Sequence, residues 1–267
     1  MIDSSNPVFV HSDVGRGLLA VKRKGIKIDS KNICASLLRF LISQVGGNSS
    51  GVILPAFNYD YGKTRTYKPN DDPIQVGALP EWVRMNCEYN RSSVPFFSVL
   101  SKTEILPKNK QVINPFGRES VFGQLVSADA TIVLLGTGLS SLTFIHHVEE
   151  IAGKPCYRYD KNFPGQIVID EANVCSCEVV MHVRPLGVHL EYDWYRLQAE
   201  LISDGILQVD EQTNDLKYLK ARRLIEYWGN KISTDPLYLL DSKSRKYFEI
   251  ETAYGSRRVE IEAYEKE

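Results

Sequence analysis

Two residues three apart in the chain, His146 and Glu149, are of the types that carry out acid–base chemistry. The imidazole is the side chain whose ordinary pKa lies closest to neutrality, and a nearby carboxylate can orient it and raise its basicity. Residues three apart share one face of a helix, so a helix here would bring the two side chains together. Taken alone the pair is a weak signal, because a histidine in a helix is more often structural than a base.

An apolar run and a glycine turn precede this pair. Residues 131–135 are uninterruptedly apolar and rich in β-branched side chains, which predicts a central strand buried on both faces. The turn at residues 136–138 contains two glycines, and Ser140 or Ser141 is a suitable N-cap for a helix that continues to about residue 150. This order predicts small polar residues at the carboxyl edge of a sheet, where open α/β folds bind their ligands.

The composition is that of a soluble globular protein. Of the 267 residues 43% are apolar and 24% are charged, and the net charge of −1 argues against a nucleic-acid-binding protein. The longest apolar run is too short to cross a membrane, and the first residues do not form a secretory signal, so a cytoplasmic location is expected. Five cysteines without metal-finger spacing predict reduced thiols and no metal site. His182 and His189 have no partner pattern and are interpreted as structural.

The remaining sequence predicts further strands and helices around this unit. Strands are expected at residues 8–10, 51–57, 94–100, 156–159, 166–169 and 179–183, and helices at residues 30–45, from residue 77, and at residues 120–126. Residues 58–73 have no apolar period and are predicted to form a long surface loop. From residue 193 the chain is predicted to be mostly helical, with Leu216 and Leu219 in one apolar stripe. We therefore expect a single α/β domain, with a core of about residues 1–190 and a helical portion of about residues 191–267.

A set of separate motifs runs through roughly the first 165 residues. They are Val10-His11-Ser12, Ile53-Leu54-Pro55-x-Phe57, Gly77-x-x-Pro80-Glu81, Arg91-Ser92, Ser98, Phe116-Gly117-x-x-Ser120-x-Phe122-x-x-Leu125, and Leu134-Leu135-Gly136 followed by Ser141, Thr143, His146 and Glu149. In this order the motifs resemble the aminoglycoside 3-N-acetyltransferase family, more specifically than any one of them does alone. The tail from residue 193 is similar to the family only in its length and helical character.

The resemblance implies a fold and a reaction. The fold would be a three-layer α/β/α arrangement with a central mixed sheet, followed by the helical C-terminal portion. The reaction would transfer an acyl group, acetyl or a short hydroxyacyl, from coenzyme A to a sugar amine. In this reading His146 is the general base for the attacking amine, and Glu149 or Asp160 orients it.

The coenzyme site is expected at the carboxyl edge of the sheet. His11 and Ser12 follow the first predicted strand into a turn, which places them at that edge and makes them candidates to line the site. Ser98, Ser141 and Thr143 lie in motifs that resemble the family, and we assign them to the same site.

Two departures from the family pattern bear on the acceptor. Where the pattern Arg-Ser-x-His-Pro-x-x-Ser has its histidine, this chain has Val94. Residues 155–165 are less acidic than a site for a polycationic antibiotic requires, because such a site should present several carboxylates. Instead Arg158 and Lys161 accompany Tyr157 and other aromatic residues, a set suited to a phosphorylated aromatic ligand. The chain thus resembles the branch that acylates nucleotide-linked amino sugars for surface polysaccharides such as O-antigen.

Several alternatives stay open at this point. Tyr59, Tyr61 and Tyr67 could stack on a sugar or base, or could only pack the predicted loop onto the core. The acceptor candidates also include Glu81 and Arg91, which lie in the motifs that resemble the family. The basic pair of residues 158 and 161 could be a solvated surface. An aminoglycoside acceptor, a non-catalytic binding member of the fold and a homo-oligomer remain alternatives.

Overall fold

The computed structural model describes residues 6–106 and 112–253 of the chain. In these residues the strands are β1 (Val8–Ser12), β2 (Val52–Pro55), β3 (Thr66–Tyr67), β4 (Asn90–Arg91), β5 (Val99–Ser101), β6 (Thr131–Leu135), β7 (Tyr159–Val168), β8 (Val174–Val183), β9 (Gln208–Val209) and β10 (Leu216–Lys220). The helices are α1 (Val14–Arg23), α2 (Ile33–Gln44), α3 (Tyr61–Thr64), α4 (Ala78–Asn86), α5 (Val121–Ser127), α6 (Phe144–Ile151), α7 (Trp194–Ser203), α8 (Ala221–Thr234) and α9 (Ser242–Ala253). No helix in the described part of the chain has the length and apolar character needed to cross a membrane.

The main sheet has seven strands in the order β4-β5-β2-β1-β6-β10-β9. It is mixed, because β1 pairs in parallel with β2 and β6 while the other pairings within it are antiparallel. Alternate residues of β6 enter different apolar clusters: Ile132 and Leu134 pack with residues of α5 to α8, whereas Val133 and Leu135 pack with residues of α1, α2 and α4. Because side chains alternate between the two faces of a strand, helices cover both faces of this sheet. The predicted three-layer fold with a mixed sheet is confirmed.

The strand–turn–helix unit predicted from the sequence is present, with a later helix start. All five residues of β6 are buried, and the strand lies inside the sheet between β1 and β10. Residues 139–141 form a 3₁₀ turn and α6 begins at Phe144, so neither Ser140 nor Ser141 is its N-cap. Gly136 has φ +71°, and a Cβ there would lie 2.3 Å from the backbone nitrogen of Gly17. The glycine is therefore required by the close approach of α1 to the end of β6.

A second sheet contains β3, β7 and β8 in that order. β7 and β8 have ten residues each and form an antiparallel hairpin, whereas the sequence analysis predicts separate strands at residues 156–159 and 166–169. Pro164 and Gly165 in the middle of β7 account for that difference, because they are usually strand breakers. Here Gly165 is required, since a Cβ would lie 2.3 Å from the backbone oxygen of Arg65. The hairpin therefore packs directly on α3 and β3, which lie in the segment predicted to be a loop.

The C-terminal portion is not purely helical. Leu216 and Leu219, predicted to be part of a helical stripe, lie on β10 and are buried against the sheet. β10 pairs antiparallel with β6 and carries β9 on its other side, so residues 208–220 complete the main sheet. Because the last strands of the sheet come from this portion, residues 1–190 do not form the complete α/β core.

Candidate active site

Helix α6 carries the two residues with which the sequence analysis begins. The Nδ1 atom of His146 lies 2.9 Å from Oε2 of Glu149. Their three-residue spacing puts both side chains on one face of the helix, as predicted. The Glu149 side chain is 1% exposed and that of His146 is 24% exposed, so the imidazole lies between the buried carboxylate and the opening to solvent.

The Glu149 carboxylate is held by groups from two other parts of the chain. The hydroxyls of Tyr157 and Tyr192 donate hydrogen bonds to Oε1, at 2.8 Å and 2.6 Å. Nε of Arg158 lies 3.4 Å from Oε2, and its Nη2 donates to the Tyr192 hydroxyl at 2.6 Å. Burial acts to raise the pKa of this carboxyl, but Arg158 and the neighbouring histidines outweigh it and hold the pKa well below its ordinary value. Glu149 is therefore ionised at neutral pH.

The ionised carboxylate determines which nitrogen of His146 carries the proton. Nδ1 faces the carboxylate and donates to it, so Nε2 keeps the lone pair of the neutral ring. Burial lowers the pKa of His146 below its ordinary value of 6.5, although the hydrogen bond to Glu149 acts in the opposite direction. A neutral imidazole that is oriented by a carboxylate at Nδ1 and belongs to a partly exposed side chain has the geometry of a general base.

Aromatic side chains surround the imidazole. The rings of Phe116 and Tyr192 lie 5.1 Å and 6.2 Å from that of His146, centroid to centroid. From Phe116 a series of ring contacts continues through Phe97 to Tyr59, which is 49% exposed. Aromatic faces of this kind stack on sugar rings and bases, so this series is a candidate surface for an acceptor.

A second histidine, His182 on β8, completes the cluster. Its Nε2 lies 3.3 Å from Oε2 of Glu149 and its Nδ1 lies 3.2 Å from Oε2 of Glu150. Burial acts to lower the pKa of His182, but the hydrogen bonds to the two carboxylates outweigh it and raise that pKa above 6.5. The sequence analysis treats this residue as structural, and the structure places it in contact with the predicted catalytic pair.

Three of these residues could each offer one metal ligand. The atoms of His146, Glu149 and His182 lie within 4.8 Å of one another. In the described structure they already face one another as hydrogen-bond partners, and the guanidinium of Arg158 lies beside the same carboxylate oxygen. A cation bound there would have to displace those protons and tolerate the adjacent positive charge. The geometry therefore favours a site that holds protons.

The candidates for the coenzyme site separate into two groups. His11 and Ser12 end β1, in register with Leu134 and Leu135 of the adjacent strand, so they lie at the carboxyl edge of the sheet as predicted. Nε2 of His11 and Oγ of Ser12 are buried without a hydrogen-bond partner in the described structure. Burial lowers the pKa of His11 to about 4, which leaves its ring neutral at pH 7. Buried polar atoms without partners usually have a ligand or water that satisfies them.

The other coenzyme candidates have partners within the protein. Ser98 is fully buried, and its hydroxyl donates to the backbone oxygen of Ala56 at 2.5 Å. It is engaged within the protein, and its assignment to the coenzyme site stays a prediction. Ser141 shares a 2.5 Å hydrogen bond with Thr137, and the backbone oxygen of Thr143 accepts from the nitrogen of His146 at 3.1 Å. Both therefore shape the turn that leads into α6.

Most of the predicted acceptor residues also have structural contacts. Tyr61 and Tyr67 are fully buried, and their hydroxyls donate to the backbone oxygens of Phe163 and Ser92 at 3.0 Å each. They pack the segment of residues 58–73 onto the core, and their assignment to the acceptor site stays a prediction. Tyr59 retains an exposed ring.

The charged acceptor candidates are engaged as well. Glu81 forms an ion pair with Arg84 at 2.6 Å and accepts from the backbone nitrogen of Ile74. Arg91 donates to Oγ of Ser98 and to the backbone oxygens of three residues, which joins distant segments. Both are therefore structural in this fold, and neither offers a free charge to an acceptor.

The segment of residues 157–161 differs most from expectation. Tyr157 is buried. Arg158 is only 9% exposed, and its charge is paired with Glu149. Neither side chain is therefore available to bind a phosphate at the surface. Asp160 pairs with Lys154 at the exposed surface, 2.6 Å away, so it is Glu149 that contacts the imidazole of His146. Lys161 is half-buried, with its nitrogen 5.9 Å from the centroid of the Phe163 ring.

Four residues of the cluster are absent from the sequence-based candidates: Phe116, Glu150, His182 and Tyr192. Phe116 lies in a quoted motif, but its type alone indicates core packing. His182 lies on a strand and Tyr192 precedes α7, and neither has a local pattern that connects it with α6. They reach α6 from separate segments of the folded chain, so no signal in the local sequence could have identified them.

Comparison with known proteins places the chain among acetyltransferases. A family model described as aminoglycoside 3-N-acetyltransferase matches residues 55–230. No curated protein sequence matches the chain.

Solved structures of similar fold cover most of the chain. The apoenzyme of aminoglycoside acetyltransferase AAC(3)-IVa has a TM-score of 0.66 at 16% identity, over 96% of this chain and 92% of that chain. AAC-IIIb, in a binary structure with CoASH, has a TM-score of 0.66 at 16% identity, over 87% and 91% of the two chains. The YokD protein from Bacillus subtilis has a TM-score of 0.65 at 15% identity, over 88% and 89%. At identities this low, the structural similarity establishes the shared fold alone.

Proposed function

Because the chain belongs to the aminoglycoside 3-N-acetyltransferase family, it is a coenzyme A-dependent N-acetyltransferase, and we propose that it acylates a nucleotide-linked amino sugar with His146 as the general base. The observation that supports the base is the 2.9 Å contact between Nδ1 of His146 and the buried carboxylate of Glu149. This contact leaves the lone pair on Nε2 of a side chain that is partly exposed.

The chemistry requires a proton to leave the acceptor amine. An amine is mostly protonated in water near pH 7, and it becomes a nucleophile only after it loses that proton. Nε2 of His146 accepts the proton, and the ionised Glu149 stabilises the imidazolium that results. Bound acyl-coenzyme A supplies the thioester carbonyl that the amine attacks. His146 then holds a proton that can pass to the departing sulfur.

The coenzyme is proposed to lie along the carboxyl edge of the sheet. Oγ of Ser12 and Nε2 of His11 are the buried polar atoms without partners at that edge, and an amide-rich ligand such as the pantetheine arm could satisfy both. Ser141 and Thr143 border the same edge through the turn before α6. The binary structure of AAC-IIIb with CoASH supports a coenzyme of this kind in the shared fold.

The acceptor proposal is based on the charges around His146. The two carboxylates of the cluster, Glu149 beside the His146 ring and Glu150 beside His182, are already engaged by Arg158 and His182. A polycationic acceptor would need carboxylates without such partners, whereas a nucleotide-linked amino sugar carries a single amine and needs aromatic and cationic surface. The exposed Tyr59 ring and the half-buried Lys161 are the remaining candidates for that surface.

An aminoglycoside acceptor is the second candidate function. The family description favours it, and so do structures of AAC(3)-IVa in which a histidine-to-alanine variant holds apramycin or a gentamicin. The two acceptor classes differ in charge, which makes them separable by assay.

Two measurements test the proposal. Thioester consumption with acetyl-coenzyme A, measured against nucleotide-linked amino sugars, free amino sugars and aminoglycosides, should show turnover on the first class. With that acceptor, His146→Ala should lower kcat by roughly 10²- to 10⁴-fold and leave acetyl-coenzyme A affinity little changed. Turnover confined to aminoglycosides would refute the acceptor proposal, and near-normal kcat in the alanine variant would refute the role of the base.

A further inference from the structure

His182 is a buried histidine with a carboxylate at each ring nitrogen. Its side chain is 2% exposed, and the two contacts, to Glu149 and Glu150, are 3.3 Å and 3.2 Å long. A neutral imidazole has one N–H donor and one acceptor nitrogen, so it could satisfy only one carboxylate and would repel the other. A protonated ring donates to both. The geometry therefore requires His182 in its charged form.

The charges of the cluster then balance. Glu149 and Glu150 contribute two negative charges, and Arg158 and the imidazolium of His182 contribute two positive charges. His146, whose ring centroid lies 5.9 Å from that of His182, is left neutral in this arrangement. A third positive charge on His146 would be disfavoured by the nearby imidazolium, which is the condition that a general base requires.

We propose that His182 is a positioning residue for the acyl transfer, a buried imidazolium that holds Glu149 beside His146 and keeps His146 in its neutral form. The inference rests on the proposed function of His146 as the base. It also gives the β7–β8 hairpin a part in catalysis, because β8 carries His182 to the helix that carries the base.

The other charged groups near His182 do not change this direction. On β7, Asp160 is its register partner, but that carboxylate pairs with Lys154. Lys154 also acts on Glu150, whose pKa is lowered by its hydrogen bond to His182 and, in part, by this lysine. The hydroxyls of Tyr157 and Tyr192 face Glu149 as neutral donors, because burial raises their pKa well above 10. The Phe116 ring lies 5.3 Å from the His182 ring, centroid to centroid, and carries no charge.

The test measures the pKa of each histidine by NMR and needs no acceptor. The chain has only five histidines, so their Cε1–Hε1 signals can be followed in ¹³C-histidine-labelled protein and assigned with single variants. In the wild-type protein the pKa of His182 should lie above 6.5 and that of His146 below it. His182→Gln removes one positive charge about 6 Å from His146 and should raise the pKa of His146 by about 0.5–2 units.

Two further variants complete the experiment. Glu150→Gln removes one of the two carboxylates that face His182 and should lower the pKa of His182 by a similar amount, about 0.5–2 units. This variant gives a second measurement if His182→Gln does not fold. His189→Gln is the matched control, because His189 is an exposed histidine paired with Asp241. This substitution should leave the pKa of His146 unchanged.

The outcomes separate this inference from the proposed function. A wild-type pKa of His182 below 6.5, or an unchanged pKa of His146 in folded His182→Gln, would overturn the inference. With an active acceptor, the acid limb of kcat/KM should move to higher pH in His182→Gln, whereas a purely structural loss would lower kcat at every pH without that shift. If His146→Ala were fully active, the proposed function would fail even though the NMR result stood.

Discussion

Replacing Glu149 with glutamine tests the site at its most connected residue. The substitution keeps the size of the side chain and one carbonyl oxygen, but it removes the charge that faces His146, His182 and Arg158. The amide also introduces two N–H donors at a position where every neighbour is itself a donor. We therefore expect Glu149→Gln to damage both catalysis and stability.

The loss of stability follows from burial. The Glu149 side chain is 1% exposed and Arg158 is 9% exposed, so the variant leaves a buried guanidinium without its counter-charge. Removing one partner of a buried ion pair costs about 3–5 kcal/mol of unfolding free energy. A chain of 267 residues with an ordinary stability of about 5–15 kcal/mol should remain folded at 25 °C but unfold earlier in urea.

The sign of the pH dependence also follows from this carboxyl group. Its pKa in the folded state is held well below the ordinary value of 4.5. Such a group stabilises the folded state fully above its unfolded pKa, and that stabilisation is lost as the pH falls through the folded pKa. The free energy of unfolding of the wild-type protein should therefore decrease below about pH 4.5, and Glu149→Gln should lack this part of the decrease.

Turnover gives the second measurement. Without the carboxylate, the tautomer of His146 and the stability of its imidazolium are no longer fixed, and kcat should fall by roughly 10²- to 10⁴-fold. Thioester consumption measures kcat, and urea unfolding at pH 7 and pH 4 measures the free energy. Substitutions at the surface usually change the unfolding free energy by less than about 0.5 kcal/mol. A Glu149→Gln variant with so small a change, or with wild-type kcat, would refute this account of the site.

Three other changes separate structural from functional roles. Arg158→Met should lower stability by about 3–5 kcal/mol and reduce kcat with little change in acceptor KM, whereas Lys161→Met should change stability by less than about 0.5 kcal/mol. A selective rise in acceptor KM for the arginine variant would instead favour a phosphate contact. Gly165→Ala places a methyl group 2.3 Å from a backbone oxygen and should lower the free energy of unfolding in urea by at least about 1–3 kcal/mol. Gly229→Ala is the control, because Gly229 in α8 has open space around it, and this change should be neutral or slightly stabilising. Equal effects of the two substitutions would contradict the close packing of the hairpin. Ser12→Ala should raise KM for acetyl-coenzyme A by roughly 2- to 13-fold at unchanged kcat, and an unchanged KM would remove this residue from the coenzyme site.

Much of the fold could be predicted from local patterns. The run at β6 reads as a buried strand because it is apolar at every position, and a strand covered by helices on both faces has that composition. The segments that were mispredicted are determined by pairing with residues distant in the sequence. Leu216 and Leu219 have a spacing compatible with a helix, but β6 offers an unpaired edge that this segment fills as β10. That pairing joins residues about 85 positions apart, and no window of local sequence contains it.

The same distinction between local and long-range contacts applies to the candidate site. His146 and Glu149 could be predicted because their contact lies within one turn of a helix. Arg158 looked like a surface cation because it lies among polar residues, and its burial depends on a carboxylate nine positions earlier in the chain. Tyr61 and Tyr67 looked like loop aromatics, but the hairpin that covers them is distant in sequence. Residue type and spacing therefore identified the helical pair and failed for the groups that control its protonation.

The way the cluster is assembled explains why the helical pair alone is a weak signal of activity. Helix α6 supplies the proposed base and its orienting carboxylate, but an isolated buried carboxylate would take up a proton and lose the charge that stabilises the imidazolium. Arg158 directly precedes β7, His182 lies near the end of β8, and the Tyr192 hydroxyl comes from the segment before α7. With these segments packed on α6, Glu149 is ionised although it is buried, and His146 is neutral. The protonation state of the base is thus a property of the folded hairpin as well as of the helix, and a chain with the same pair but without these buried charges should bind its ligands and catalyse the transfer poorly.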